Sequence, residues 1–393
     1  MRARGDRKLI RRLSNYVAED VYGGWDSLPA ALDPSEPRSQ SVHKVETGTA
    51  KDTIQGPSGS EENRYTRLYR AIVRRNALTV AAWQAYAFTN GVLNTDNTSL
   101  LGLSLDFGPF AFLDNFDPNY TPNHDDHMLR YSYKNQPSVI WWNLVRLGES
   151  MGELIGAGPK VDDDTFIEKG VTEEFAPEVI ERAETLIQST GEEFKAVFLA
   201  EYDRLMRARL GLKNEQPNDR DGIFSELLDI LEGLELDFNH FFRRLSFVKA
   251  SELESEDQRK DKSGVFFHKE GIATTASLSE EAGRERLGRW LQTWAERVKK
   301  DWGTNLAGDE ERRKEMLKVN PKFIPRSWIL DEVIKRVEFT KERKVLDRIM
   351  RMAEKPFEEH WAEEGDEEAR KEEERWCGDV PRQQQGMQCS CSS

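Results

Sequence analysis

Cysteine is nearly absent: 393 residues hold three, all beyond residue 376, so no disulfide framework can staple a core. Long apolar runs are missing too, and none approaches the roughly 20 residues that a membrane-spanning helix needs. Positive charge is in deficit, with 57 Lys and Arg against 71 Asp and Glu. The resulting net charge of −14 repels phosphate backbones and argues against general nucleic-acid binding, so any phosphate chemistry must be local and metal-mediated. No GxxxxGK[S/T] loop occurs, and Gly156-Ala157-Gly158 fails the dinucleotide pattern because position 161 is Val. No GxSxG elbow is present, and no cysteine lies near a histidine in sequence, so a nucleophilic triad has no local signal. What is present suits an ordinary buried core: 37% hydrophobic residues, ten Trp and nineteen Phe, over a length that predicts two or three domains.

The segment MRARGDRKLIRR carries six basic groups, but Asp6, Glu19 and Asp20 do not suit a transit peptide, and no signal-peptide core follows. Leu9, Leu13, Tyr16 and Val17 instead predict a packed helix within 1–25. Residues 26–63 are rich in Pro, Ser, Gly and charge and read as a surface insertion that does not order itself. Helical periodicity follows over 62–93, and beyond Pro137 a dense apolar helix begins. Further helices are expected near 173–211, 222–247, 278–300, 326–339 and 341–354, with a charged loop over 251–275. Leu101, Leu103 and Leu105 alternate with Gly102 and Ser104, which predicts two short strands around a turn within 100–113. The segment 356–393 reads as a solvated, charged tail ending in Cys389-Ser390-Cys391-Ser392-Ser393, whose two thiols should be mobile and accessible. Either an inert terminus or a redox or metal-trapping one fits that pattern.

The chemistry concentrates between residues 94 and 106. Asn94-Thr95-Asp96-Asn97 precedes Asp106-Phe107-Gly108, with Asp106 nine positions after Asn97. An amide oxygen at Asn97 and a carboxylate at Asp106, brought together by a hairpin, form a hard-oxygen pair suited to Mg²⁺, which takes few protein ligands plus phosphate oxygens and water. Asp96 beside them could take or orient the proton of an attacking hydroxyl. Protein kinases arrange the same parts: a catalytic-loop Asp, a metal-binding Asn and the Asp of DFG. The alternative is that Asn94, Asp96 and Asn97 are turn formers bonding their own backbone. The knot Asn123-His124-Asp125-Asp126-His127 admits zinc or structural hydrogen bonding, and HxxH without the hydrolase glutamate favours the latter.

These words, with Trp83-Gln84, Gly91-Val92-Leu93, Leu100-Leu101-Gly102-Leu103, Pro109-Phe110, Phe112-Leu113-Asp114, Arg130-Tyr131-Ser132, Asn135-Gln136-Pro137, Trp142-Asn143-Leu144 and Val319-Asn320-Pro321, resemble the selenoprotein O (YdiU) family of kinase-like protein adenylyltransferases. The family often carries selenocysteine third from the end, the place of Cys391. The resemblance implies transfer of AMP from ATP to Ser, Thr or Tyr hydroxyls of proteins. It implies Asp96 as base, Asn97 and Asp106 on Mg²⁺ (Mn²⁺ being the alternative ion), and Asp106 also at the nucleotide. It leaves Asp125 and Asp126 outside the active site.

The implied fold is mainly α with a small β hairpin: a kinase-like large lobe with its catalytic core at 64–160, a helical region at 161–355 and the charged tail. Family members also have a preceding small lobe that grips ATP with a glycine-rich loop, a lysine and arginines. It is expected to be missing here, which would leave the chain a weak or inactive enzyme alone, since one charge-stabilising group can be worth roughly 10³–10⁵ in rate. Bacterial relatives pair a cysteine just before the Asn-His motif with one near the tail; Pro122 stands there, so that clamp cannot form. The expected partners are ATP and proteins, with neither nucleic acid nor membrane, and eukaryotic relatives imply a mitochondrial address rather than secretion. Two alternatives stay open: a non-catalytic binding or scaffold fragment, and a kinase-type phosphotransferase.

Overall fold

The structure is a computed structural model that describes residues 6–29, 62–271, 276 and 278–390. It is mostly helical with one two-stranded antiparallel sheet, and it divides into two compact units that interleave along the chain. The first contains residues 1–82, 93–106 and 135–202, and the second contains 83–92, 107–134 and 203–393. The middle of the expected insertion, 30–61, lies outside the described residues, while at its ends Leu28, Glu62 and Asn63 are irregular but buried and so not at the surface.

The first unit is built on three long helices: α2 (Arg64–Tyr86), α3 (Gln136–Gly156) and the start of α5 (Ala176–Leu210). Short helices α1 (Arg7–Tyr16) and α4 (Asp164–Lys169) flank them. Tyr65, Leu68, Tyr69, Ile72 and Val73 share one face of α2, and Thr66, Arg67, Arg70 and Ala71 are buried as well, so this stretch is covered on several sides, as a central helix requires. Such a helix can carry polar groups only if they are paired. Arg70, fully buried, bonds Glu62 and, at 2.8 Å, Glu193, which also takes Arg74 at 3.0 Å.

The helix α1 forms as expected, with Asp6 capping Leu9 N–H at 2.9 Å, but of the four positions expected to pack only Val17, just past its end, is buried. Leu9, Leu13 and Tyr16 point outward at 41%, 40% and 55% exposure. The polar face turns inward instead, because it finds partners there: Arg11 reaches Asp162 at 3.2 Å, and Asn15 accepts from Tyr65 Oη at 2.7 Å.

In the second unit, α2 ends where Ala87 takes a left-handed φ of +55°, and the chain turns into strand β1 (Phe88–Asn90). This strand pairs with β2 (Phe110–Phe112) in the register Phe88–Phe112, Thr89–Ala111 and Asn90–Phe110. Of the two strands expected within 100–113, β2 forms, while its partner lies at Phe88–Asn90 and not on Leu101–Leu105. The alternation of Leu101, Leu103 and Leu105 has no buried face, with Leu103 59% exposed, and that stretch forms a Thr98–Ser104 bridge in place of a strand. Gly91 allows the turn after β1: its N–H donates to the Pro109 carbonyl at 2.7 Å, and a Cβ would stand 2.6 Å from that oxygen.

The expected helix at 222–247 is two helices, α6 (Glu226–Gly233) and α7 (Phe238–Leu245). Glu235 is left-handed, at φ +50°, and Asp237 then caps α7 by accepting His240 N–H at 2.9 Å. The supposed loop 251–275 contains α8 (Glu256–Ser263), started by a capping box in which Ser255 and Gln258 bond each other's backbone. Then come α9 (Glu280–Trp302), α10 (Leu306–Leu317), α11 (Ser327–Thr340) and α12 (Arg343–Glu354).

The charged tail is also corrected. Helix α13 (Glu367–Trp376) sets Trp376, 1% exposed, into a cluster with Trp328, Ile329, Val345, Ile349, Met352 and Trp361. One large aromatic at the end of an otherwise charged helix anchors it. Beyond α13 the chain lies along the segment after β2. Tyr120 Oη donates to the Met387 carbonyl at 2.6 Å, Gln388 Nε2 to Thr121 O at 2.7 Å and Ser390 Oγ to Asp125 at 2.7 Å.

Candidate active site

The loop 93–106 of the first unit carries the residues singled out by sequence, and its backbone is fixed by amides. The Asn94 side chain accepts the N–H groups of Asp96 at 3.1 Å and Asn97 at 3.0 Å, winding Thr95–Asn97 into one tight turn. The turn-former reading is thus correct for Asn94, whose side chain bonds the backbone of the two residues that follow Thr95. Asn97 Nδ2 donates to Asp106 Oδ2 at 2.9 Å, so the two residues expected to meet across nine positions do meet. Asp106 holds a left-handed φ of +56°, a conformation that Asp tolerates better than most side chains. Asp96, next in sequence to Asn97, is exposed.

Two helices hold this loop. Asn76 on α2 donates to Ser99 O at 2.9 Å. Gly102, at φ +67°, sits so close to α2 that a Cβ would lie 2.7 Å from Arg75 O. From α3, Asn143 Nδ2 donates to Leu93 O at 2.9 Å, Asn94 O at 3.2 Å and Thr98 Oγ1 at 2.8 Å, gripping the turn from both ends. Sequence reasoning did not assign Asn143 a role. A signal was available: an amide at 3% exposure in the dense run Val139-Ile140-Trp141-Trp142-Asn143-Leu144 must be spoken for by hydrogen bonds. Asn143→Leu, close in volume, should therefore cost about 2 kcal/mol or more of unfolding free energy by leaving those acceptors unmet. Urea denaturation followed by circular dichroism measures it.

The donor set fits a hard divalent ion. Asn97 supplies an amide oxygen and Asp106 a carboxylate, and both lie at the surface, where phosphate oxygens and water can complete six ligands. Among the described residues, no three His, Cys, Asp or Glu side chains converge, so the zinc alternative at 123–127 has no ligand set. Those residues form a turn instead. Asp126 accepts Arg130 N–H at 2.9 Å and Tyr131 N–H at 2.7 Å, and Asn123 reaches Gly91 O at 3.0 Å.

Of the tail thiols, Cys391 lies outside the described residues. Cys389 is accessible but not loose: its N–H donates to Pro122 O and its carbonyl accepts His124 N–H, both at 3.0 Å. Cys377 is half-buried, and burial, outweighing Lys322, pushes its thiol up to about 12, so it stays protonated and unreactive at neutral pH.

Comparison with known proteins identifies the family. The family described as "Protein adenylyltransferase SelO" matches residues 1–354. A mitochondrial protein adenylyltransferase SelO of Schizosaccharomyces pombe is 38% identical over 87% of this chain and 57% of its own length. A protein of that name in Saccharomyces cerevisiae is 34% identical over 85% and 56%. The protein nucleotidyltransferase YdiU of Ralstonia nicotianae is 30% identical over 85% and 56%. The chain thus spans a little over half the length of these curated relatives. The family match runs from the first residue and lends no support to the expected missing lobe.

Proposed function

The chain belongs to the SelO family of protein adenylyltransferases, and from that premise we propose that it transfers AMP from ATP to hydroxyl groups of Ser, Thr or Tyr in proteins. The observation that carries this reading is the 2.9 Å bond between Asn97 and Asp106, with the exposed Asp96 beside it. In the proposed reaction the acceptor oxygen attacks the α-phosphorus, its proton passes to the Asp96 carboxylate, and the bond from the α-phosphorus to the bridging oxygen breaks to release pyrophosphate. Asn97 and Asp106 would hold Mg²⁺, or Mn²⁺ in its place, and Asp106 would thereby also face the nucleotide. When bound, the ion neutralises phosphate charge as it builds in the transition state. The order of α2, the 94–97 turn, the 106–108 segment and α3 supports a kinase-like catalytic core at 64–160.

Parallel incubations with ATP labelled at the α- or the γ-phosphate test the proposal. Label should enter protein from the α position only, and chelation of divalent ions or Asp106→Ala should abolish it. Retention of γ-label would make the chain a phosphotransferase. Absence of both labels, together with no ATP–Mg²⁺ binding by calorimetry, would make it a binding or scaffold protein. The mitochondrial address named for the two yeast relatives is proposed for this chain as well, and fractionation of the tagged gene product checks it.

A further inference from the structure

Immediately beside the Asp96 turn, within the first unit, lies a cavity of about 420 Å³ that the chemistry above does not use. That volume falls within the roughly 300–1,000 Å³ of pockets that bind specific small groups. One wall is the turn itself, through Thr95 and Thr98, the residues that flank Asp96 and Asn97. The opposite wall is one face of α3: Asn143, Arg146, Leu147 and Ser150 follow at i, i+3, i+4 and i+7 and so stand in a row. Ile72 and Leu144, both buried, give it an apolar lining.

At the rim Trp142 is 45% exposed, an unusual position for so large an apolar ring. It is held there by Arg146, whose guanidinium lies 5.2 Å from the ring centroid and is itself fixed by Glu149 at 2.6 Å. A large ring half exposed beside a cavity, with a guanidinium over it, is the kind of group that anchors a binding partner. In a chain of net charge −14, none of the described residues lining the cavity is acidic.

We propose that this cavity receives a bulky apolar side chain of the acceptor protein, next to the hydroxyl that is modified, with Trp142 as the residue that sets this preference. The inference rests on the functional reading above, because it is the position of Asp96 that turns a neighbouring cavity into an acceptor subsite. Thr95 precedes Asp96 directly, and an extended chain advances at most about 3.3–3.6 Å per residue. On this proposal the occupant of the cavity is a near neighbour in sequence of the acceptor residue. Apolar walls reward an apolar occupant, and the hydroxyls of Thr98 and Ser150 add little polarity because they already donate to Asn94 O at 3.1 Å and Arg146 O at 2.8 Å.

The test uses synthetic peptides with one central serine in a Gly/Ala frame, in which a single Phe or Leu is walked from three positions before to three after. Binding to the full chain is read by fluorescence anisotropy, which needs no turnover. One register is expected to bind about tenfold tighter than the all-Gly/Ala peptide, as burial of a large side chain implies. Trp142→Ala and Ser150→Phe, the first removing the ring and the second filling the cavity, should each erase that difference while leaving ATP–Mg²⁺ affinity unchanged. Equal binding of all registers, or a preference that survives both substitutions, overturns the inference. The outcomes separate from those of the functional reading: AMP transfer with no register preference overturns the subsite alone, and a register preference with no AMP transfer overturns the activity alone.

Discussion

Asp96→Asn is expected to lower AMP transfer by about 10²–10⁴-fold, the usual contribution of a positioned base, with ATP–Mg²⁺ affinity and thermal stability unchanged. The expectation follows from how the turn is held. The backbone N–H of residue 96, not its side chain, bonds Asn94 Oδ1, so an asparagine keeps the turn and removes only the ability to accept a proton. Substitutions at Asn97 or Asp106 should behave differently, because those two groups bond each other and would both touch the ion. There the apparent affinity for ATP–Mg²⁺ and the turnover should fall together. Steady-state kinetics with α-labelled ATP, set beside calorimetric binding of ATP–Mg²⁺, distinguishes the two patterns. An Asp96→Asn chain that transfers AMP at the unmodified rate would remove Asp96 from the chemistry and leave the metal pair standing.

The parts of this site that sequence revealed are those held together locally. Asn97 and Asp106 are nine residues apart, and their residue types already limit what they can bind. The long helices were equally legible, because burial of α2 and α3 on several sides demands dense apolar positions over many turns. What stayed hidden depends on pairing across long separations. β1 could not be told from the end of α2 until Ala87 was seen to leave the helix and Phe112 to lie opposite Phe88. The inward polar face of α1 depends on Asp162 and Tyr65, far along the chain, and no periodicity announces them. The tail looked solvated because its backbone partners, Pro122 and His124 for Cys389, accept or donate without regard to side-chain identity. Asn143 stands between these cases: its burial was readable from its neighbours, but the carbonyls it serves were not.

Loss of the Arg326 guanidinium should be the most damaging single change to the second unit. Arg326, at 1% exposure, donates to Leu113 O and Asp114 Oδ1 at 3.0 Å, and to both oxygens of Asp237 at 2.8 and 2.7 Å. It thereby ties the end of β2 to the cap of α7, and Asp114 in turn accepts the N–H of Gly386 in the tail at 3.0 Å. Burial pushes the Asp114 carboxyl up despite Arg326. Burial pushes Asp237 the same way, but Arg326 and then His240 outweigh it and hold that carboxyl below the usual range. Asp237 therefore contributes stability that is present above the ordinary carboxylate pKa and is lost as pH falls below it.

Arg326→Met leaves two buried carboxylates without their cation and is expected to cost about 3–5 kcal/mol. The sign of the pH dependence should then reverse. With both carboxyls raised, the folded variant binds more protons than the unfolded chain, so acidification from pH 7 towards 5 should narrow its deficit against the unmodified protein. Adding Asp114→Asn to the variant removes one of the stranded charges and should recover part of the loss, a coupling that a double-mutant cycle in urea reads directly. A variant within 1 kcal/mol of the parent at pH 7 would show that the two carboxylates find water or His240 instead, and that this junction does not hold β2 and α7 together.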